Sequence, residues 1–508
     1  MQPHSGKVYL IGAGPGDPGL LTLRGAECLR SGDVVLYDYL AAPELLAHTK
    51  RGAELVCLGR HGFGHGRLMS QEETCAAMVH HAAAGRIVVR LKGGDPAIFA
   101  RLAEEMAALE AANIPYEIVP GVTAASAASS HAGVPLTDRD EASCVAFVTG
   151  HERSDKKSDA SLDYAALGNF PGTLVFYMGI TTAPHWSQAL IGGGKPAATP
   201  VAIVRRCSLP DQETIVTTLG EMPELLQSQK IRPPAVIIVG AVARTRTADN
   251  WFNKRPLFGR TVLVTRPEHQ ADALSKRLTE LGARVLCQPA IEIAPPADWA
   301  AVDSTIQRLD EFQWLAFSSA NGVEHFLNRV LALGHDMRLL GHLKLAAIGP
   351  ATAHALGKFH LHADLRPDTY RAEALAETLL PHVKGQRVLL LRASRGREVL
   401  AETLAADAAI VEQVVVYEST DILTPREEIS AALVTGKIDF ITVTSSAIAR
   451  SLANMFGEAL LSARLAAISP LTADTLAELG YPASAVADSF TGEGLVDAIL
   501  ATVDKRQR

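Results

Sequence analysis

The stretch Val8-Tyr9-Leu10-Ile11-Gly12-Ala13-Gly14-Pro15-Gly16-Asp17-Pro18 decides how the rest of the chain is read. It opens as an uncharged apolar run, as a buried strand does, and breaks into Gly12, Gly14 and Gly16. Glycine carries no Cβ, so the N–H groups of such a turn can come close to a ligand. A helical pattern through Thr22 and Leu29 follows. Strand, glycine turn and helix form the unit of an α/β sheet, whose ligands bind beyond the carboxyl ends of the strands. Two other readings stay open here. The turn could be a dinucleotide loop, although Pro15 and Asp17-Pro18 do not suit a phosphate-cradling helix start, or it could simply join strand to helix.

Outward from this stretch the same alternation continues. Strands are predicted at Val8–Ile11, Val34–Tyr37, Ile87–Leu91, Val145–Thr149, Thr173–Tyr177, Val201–Val204 and Val236–Val239, with a helical pattern at Ala100–Ala111. A second block, Val88-Val89-Arg90-Leu91-Lys92-Gly93-Gly94-Asp95-Pro96, again puts Gly-Gly-Asp beyond a strand. Asp95 could accept from a ribose hydroxyl or offset a cationic centre; its plainer role is to cap a helix starting at Pro96. The third block, Val119-Pro120-Gly121-Val122-Thr123-Ala124-Ala125-Ser126, brings small residues and hydroxyls suited to a snug pocket or a closely packed helix start. The fourth, Thr173–Gly179, ends in Met178-Gly179, where Met178 could pack a ligand face or fill core.

The chain has 508 residues, enough for two to four domains. It is 48% hydrophobic and 20% charged, as a soluble globular protein is. A formal charge of -7 argues against a general nucleic-acid binder. Cys28, Cys57, Cys75, Cys144, Cys207 and Cys287 are scattered with no CxxC pair or zinc spacing, so reduced thiols, a cytoplasmic location and no metal are expected. Met1–Lys7 leads straight into a strand, and no apolar run of about 18 residues occurs, so neither a signal peptide nor a membrane span is expected.

The segment 246–258, with Asn250-Trp251-Phe252-Asn253-Lys254-Arg255-Pro256, breaks the pattern and reads as a linker between parts 1–245 and 259–508. Beyond it the sequence repeats. GRTVLVTRP from Gly259 matches GQRVLLLRA from Gly385, and FQWLAFSSA from Phe312 matches IDFITVTSSA from Ile438. AAIGPATAHAL from Ala346 matches AAISPLTADTL from Ala466, and PDTYRAEAL matches ADSFTGEGL. The copies lie about 120–127 residues apart, which predicts two related α/β lobes with a cleft between them. Hydroxyl and basic residues follow the strands, among them Arg266, Ser318, Thr352, Arg392, Ser445 and Thr472. Each alone suits a cap or turn; together they could donate to many carboxylates, with Arg266, Arg392, Arg395 and Arg397 as a local basic patch or a solvated face.

In order and spacing, GAGPGDPGLLTLRG, VLYD, RLKGGDP, PGVTAAS, GVPLT and TLVFYMG resemble the tetrapyrrole methylase family, and within it uroporphyrinogen-III C-methyltransferases, over residues 6–245. The resemblance implies two unlike α/β subdomains (about 1–118 and 119–245), S-adenosyl-L-methionine in the cleft between them, and a homodimer formed through this half. It implies cofactor contacts at Pro15, Gly93, Gly94, Asp95, Ile98, Thr123, Ala124, Met178 and Cys207, the last where relatives carry glycine. Asp38, ending VLYD, falls at the position of the proton acceptor. The proposed proton-donor lysine is here Arg60, which does not deprotonate near neutrality and suits substrate anions instead.

Residues 259–500 resemble uroporphyrinogen-III synthases through VLVTRP, FSSANGVE, AIGPATA, VVVYEST, TSSA and SFTGEGL. That implies a bilobed fold of two flavodoxin-like lobes, about 259–292 plus 420–508 and 293–419, joined by a two-stranded hinge. It implies that hydroxymethylbilane is closed to uroporphyrinogen III with ring D inverted, with Tyr417 helping the hydroxyl leave. The product of the second half would be the substrate of the first, giving precorrin-2 for sirohaem or cobalamin. The alternative is a methylase of a later precorrin or another substrate, fused to a bilobed tetrapyrrole-binding module without catalysis.

Overall fold

The computed structural model of the chain describes residues 6–59, 68–152, 161–244, 250–396 and 398–504. It divides into two compact units, Met1–Arg260 with Leu278–Arg284, and Thr261–Arg277 with Val285–Arg508.

The first unit holds two sheets. One comprises β1 (Lys7–Gly12), β2 (Val34–Tyr37), β3 (Glu54–Cys57), β4 (Ile87–Lys92) and β5 (Tyr116–Val119), in the order β3-β2-β4-β1-β5. All its pairings are parallel. The other comprises β6 (Val145–Thr149), β7 (Thr173–Tyr177), β8 (Pro200–Arg205), β9 (Glu213–Thr218) and β10 (Ala235–Val239), in the order β6-β7-β10-β8-β9. It is mixed: β6 and β7 are parallel, while β10 and β9 run antiparallel to their neighbours. The central strands β1, β4, β7, β8 and β10 are buried along most of their length, which is why they read as continuous apolar runs.

The segment expected as a linker is not a loose tether. Phe252 and Leu257 are fully buried, and Trp251 donates its indole N–H to Ser130 O at 2.8 Å. The His131 ring lies against both Trp251 and Phe252, and the Arg255 guanidinium stacks on Phe252 at 3.7 Å. Leu257 N–H then meets Leu281 O at 2.9 Å, and Gly259 N–H meets Pro210 O at 3.1 Å. What reads in sequence as a polar interruption is an aromatic plug whose partners come from over a hundred residues earlier.

Among its described residues the second unit carries β11 (Thr261–Val264), β12 (Arg284–Cys287), β13 (Ile291–Ala294), β14 (Trp314–Phe317), β15 (Lys344–Ala347), β16 (Arg387–Ala393), β17 (Ile410–Asp421), β18 (Phe440–Val443), β19 (Arg464–Ala467) and β20 (Ala485–Val486). They form two sheets, β12-β11-β18-β19-β20 and β13-β17-β16-β14-β15. Strands matched by the internal repeat occupy matching places: β11 and β16, β18 and β14, β19 and β15. The chain passes from the first sheet to the second after β12 and returns after β17. The two crossings pair antiparallel, from Ile291 opposite Asp421 to Ala294 opposite Glu418. Each lobe packs its own apolar cluster, around Phe317 and Phe326 in one and Ile441 and Leu452 in the other. Among the described residues, no helix is long and apolar enough to cross a membrane.

Candidate functional site

In the first unit the three glycine blocks converge at the carboxyl ends of β1, β4 and β5. Gly14 and Gly94 exchange backbone hydrogen bonds at 3.2 and 2.8 Å, and Ala13 N–H reaches Lys92 O at 2.7 Å. A Cβ on Gly12 would stand 2.5 Å from Gly121 Cα, so both positions need glycine for backbone to meet backbone. Gly94 is different. Its φ is +72°, and a Cβ there would face open space, the nearest atom being Ala124 N at 3.9 Å. Asp95 holds this junction: its carboxylate accepts from Ala97 N at 2.8 Å and Gly121 N at 2.9 Å. It does not cap a helix at Pro96. Phe99 and Arg101, at φ +52° and +56°, delay the helix to Leu102–Ala111.

The second sheet closes on the same place. The Tyr177 hydroxyl bonds the Thr123 hydroxyl at 2.6 Å and accepts from Ala125 N at 3.0 Å, fixing the start of the helix Ala124–Ala132. Met178 follows with φ +55° and 52% exposure, so it is not core filler. Cys207 is buried with its Sγ 3.8 Å from Ala124 O, and burial pushes its thiol up to about 12. Beside it, the Ser208 hydroxyl accepts from Asp17 N at 3.0 Å, tying this loop to the first glycine turn that contains Pro15. Ile98 lies half-buried in the turn after Asp95.

Asp38 ends β2 beside these loops, its side chain 31% exposed and paired with Arg90 at 2.7 Å. Arg90 in turn meets Glu105 at 3.1 Å, and Glu105 meets Lys92 at 2.5 Å. This buried chain was missed in the sequence, as was Tyr177. The signal was available: Arg90 and Lys92 sit two apart, hence on one face of an otherwise apolar strand. Burial draws the Lys92 ammonium below its ordinary value. Arg60 lies outside the described residues.

In the second unit, strands lead into helices with polar caps. After β14, Ser319 accepts from Gly322 N at 3.0 Å; after β18, Ser445 accepts from Ile448 N at 3.2 Å; after β19, Ser469 accepts from Thr472 N at 3.3 Å. After β15, Gly349 precedes Pro350 and the buried Thr352. These helix N-termini present N–H groups and a partial positive charge, which suit carboxylates. Two expected donors are already engaged: the Ser318 hydroxyl donates to Leu391 O at 3.1 Å, and the Ser445 hydroxyl is a cap. Thr472 is buried beside Ser469.

The expected basic patch is largely neutralised within the protein. Arg392 pairs with Glu398 and donates to Gln413 at 2.8 Å, while Arg395 pairs with Asp421 at 2.7 Å. Arg397 lies outside the described residues. Arg266 keeps its guanidinium half-buried with no ion pair to a described residue, and burial pulls its pKa down. Tyr417 follows a register shift where β16 pairs with β17, a bulge that turns it toward the β14 loop. Its hydroxyl lies 3.0 Å from that of Ser319, its ring stacks on His325, and burial raises its pKa, so the phenol stays protonated. The repeat-equivalent aromatics Tyr370 and Phe490 meet edge to face at 6.3 Å. Among the described residues no group of His, Cys, Asp or Glu is placed to hold a metal ion.

Glycine-lined strand ends beside a carboxylate, then a duplicated pair of α/β sheets with polar-capped helix starts, make a two-part α/β protein with a candidate small-molecule site in each part. Comparison with known proteins says which kind. Residues 7–223 match the family model of the tetrapyrrole (corrin/porphyrin) methylases, and residues 272–497 that of uroporphyrinogen-III synthase HemD. The porphyrin biosynthesis protein HemD of Ruminiclostridium josui is 33% identical over 499 residues, covering 97% of this chain and 98% of its own. The uroporphyrinogen-III C-methyltransferase of Bacillus subtilis is 34% identical over 365 residues, covering 72% and 74%. A solved uroporphyrin-III C-methyltransferase of Thermus thermophilus, complexed with S-adenyl homocysteine, is 38% identical over 47% of this chain and 99% of its own, with a TM-score of 0.40. The chain belongs to the tetrapyrrole methylases through its first part and to the uroporphyrinogen-III synthases through its second.

Proposed function

We propose that the second unit cyclises hydroxymethylbilane to uroporphyrinogen III and that the first methylates this product at C2 and C7, giving precorrin-2. The observation that carries the reading is the open space before Gly94, where a Cβ would meet only Ala124 N, at the junction of the turns that contain Gly14, Gly94 and Gly121. In this reading S-adenosyl-L-methionine would lie there, with Gly93, Gly94, Thr123 and Ala124 offering backbone groups, Asp95 an acidic edge, Pro15, Ile98 and Met178 apolar surface, and Cys207 backing Ala124 from beneath. When bound, the cofactor supplies a methyl group on a cationic sulfur. The protein's own residues align the pyrrole carbon with that methyl, exclude water, and take the ring proton at the Asp38 carboxylate. Arg60 would receive a substrate carboxylate.

In the second unit the bilane's own cation drives ring closure, so positioning outweighs strong acid–base groups. Capped helix starts near Ser318, Thr352, Ser445 and Thr472 would take the carboxylates, together with Arg266, which makes no ion pair to a described residue. Arg392, tied to Glu398, would act through that pair. Tyr417, kept protonated, donates toward the departing hydroxyl. A cytoplasmic homodimer formed through the first unit completes the reading, and sedimentation of the purified chain tests its stoichiometry. The deciding experiment incubates the protein with hydroxymethylbilane and labelled S-adenosylmethionine and identifies each tetrapyrrole by mass and isomer. A dimethylated type-III product is expected; unmethylated type-I porphyrin alone would defeat the proposal.

A further inference from the structure

The first unit contains four charged groups in a line that runs from its interior to the cleft edge. Glu105 is fully buried, Lys92 is 2% exposed and Arg90 is 5% exposed, yet all three carry charge inside an apolar sheet-and-helix layer. Lys92 and Glu105 meet at 2.5 Å, Glu105 and Arg90 at 3.1 Å, and Arg90 and Asp38 at 2.7 Å. Buried ion pairs are often no more stabilising than apolar residues of the same volume, so their presence calls for a reason beyond stability.

Resting on the methyl-transfer reading of this cleft, we propose that Glu105 is a positioning residue for the Asp38 base, acting through Arg90, with Lys92 as its counter-charge. Each Arg90 nitrogen has a protein partner: Nε gives to Glu105, Nη1 gives to Leu91 O at 3.1 Å, and Nη2 forms an ion pair with Asp38 at 2.7 Å. The guanidinium is therefore engaged within the protein and not presented as a clamp for a substrate carboxylate. It grips one oxygen of Asp38, while the other makes no hydrogen bond to a described residue. The charges also balance as a set. Arg90 and Lys92 against Glu105 leave one positive charge inside, and the Asp38 carboxylate cancels it. Lys92 adds a second tie, since its backbone carbonyl accepts from Ala13 N at 2.7 Å immediately before Gly93 and Gly94. The tie to the loop on which the methyl donor is proposed to rest is thus made by backbone, which a change of the Glu105 side chain leaves in place.

The test uses the full chain with Glu105→Gln, a change of charge at nearly constant shape. With uroporphyrinogen III as substrate, kcat should fall about tenfold or more, while S-adenosylhomocysteine affinity by calorimetry stays within about twofold. In an Asp38→Asn background the same substitution should cost nothing further, because both act through one group. An unchanged kcat, or losses that multiply in the double variant, would overturn the proposal. Should Glu105→Gln fail to fold, Lys92→Met with Glu105→Met removes the pair together. It should fold and still lose kcat because Arg90 is unanchored, and a wild-type rate there would count against the idea. Wild-type protein that binds S-adenosylhomocysteine but transfers no methyl would instead sink the reading of the cleft, and this inference with it.

Discussion

Asp38 and Tyr417, the two groups proposed to act on substrate, sit in opposite surroundings. Asp38 is partly exposed with one oxygen paired to Arg90, which leaves its second oxygen for the proposed role of proton acceptor. Asp38→Asn keeps the shape and removes the acceptor; methyl transfer should drop by about a hundredfold or more with S-adenosylhomocysteine affinity nearly unchanged. Equal losses in both measurements would show that Asp38 merely shapes the loop. Tyr417 is 7% exposed and its hydroxyl reaches Ser319. Tyr417→Phe should slow ring closure several-fold without changing the isomer, as followed by oxidation and chromatography of the porphyrins; an unaffected rate would reduce Tyr417 to packing. Legibility differs between them. Asp38 follows a strand and could be placed from VLYD, but its partners Arg90 and Glu105 lie 52 and 67 residues on, and no local pattern joins them. Tyr417 could be read as a strand residue, whereas the bulge that aims it could not.

Elements rather than residues decide how the glycine loops and the connector behave. Gly12 and Gly121 touch backbone to backbone, so Gly12→Ala should lower stability by about 1–3 kcal/mol in thermal or urea unfolding and weaken cofactor binding with it. Wild-type stability would mean that the loops part easily. The connector predicts a pH effect. Burial holds the His131 imidazole below its ordinary value of 6.5, and its ring packs on Trp251 and Phe252. The folded state therefore binds this proton less readily than the unfolded state. Its contribution is full above 6.5 and is lost as the pH falls below that value. Thermal unfolding of the chain should shift downward across that range, and less so in His131→Gln. In the first part the central strands were legible because buried β-branched runs admit few other readings, whereas β3, β5 and β9, half-exposed and mixed in composition, gave no such run. The helix expected at Pro96 was not, because the positive φ values of Phe99 and Arg101 have no mark in sequence. The packing of the connector was hidden for a related reason: Trp251 and Phe252 meet His131, and Trp251 meets Ser130, residues far upstream that no local pattern links to it.

At the scale of the whole molecule the two activities should be separable by substitution although they share one chain. The Asp38→Asn protein should accumulate uroporphyrinogen III from hydroxymethylbilane, and the Tyr417→Phe protein should methylate supplied uroporphyrinogen III at the wild-type rate. Loss of methylation in the second case would reveal dependence between the sites. The duplication in the second part was legible as a repeat, and repeat-equivalent strands fall in equivalent sheet positions. What no repeat announces is that the chain leaves the first sheet of the second part after β12 and re-enters it only at β18. One lobe is therefore continuous in the chain, while the other waits for its last strands: β11 gains its neighbour β18 only after the whole of the intervening lobe has been made.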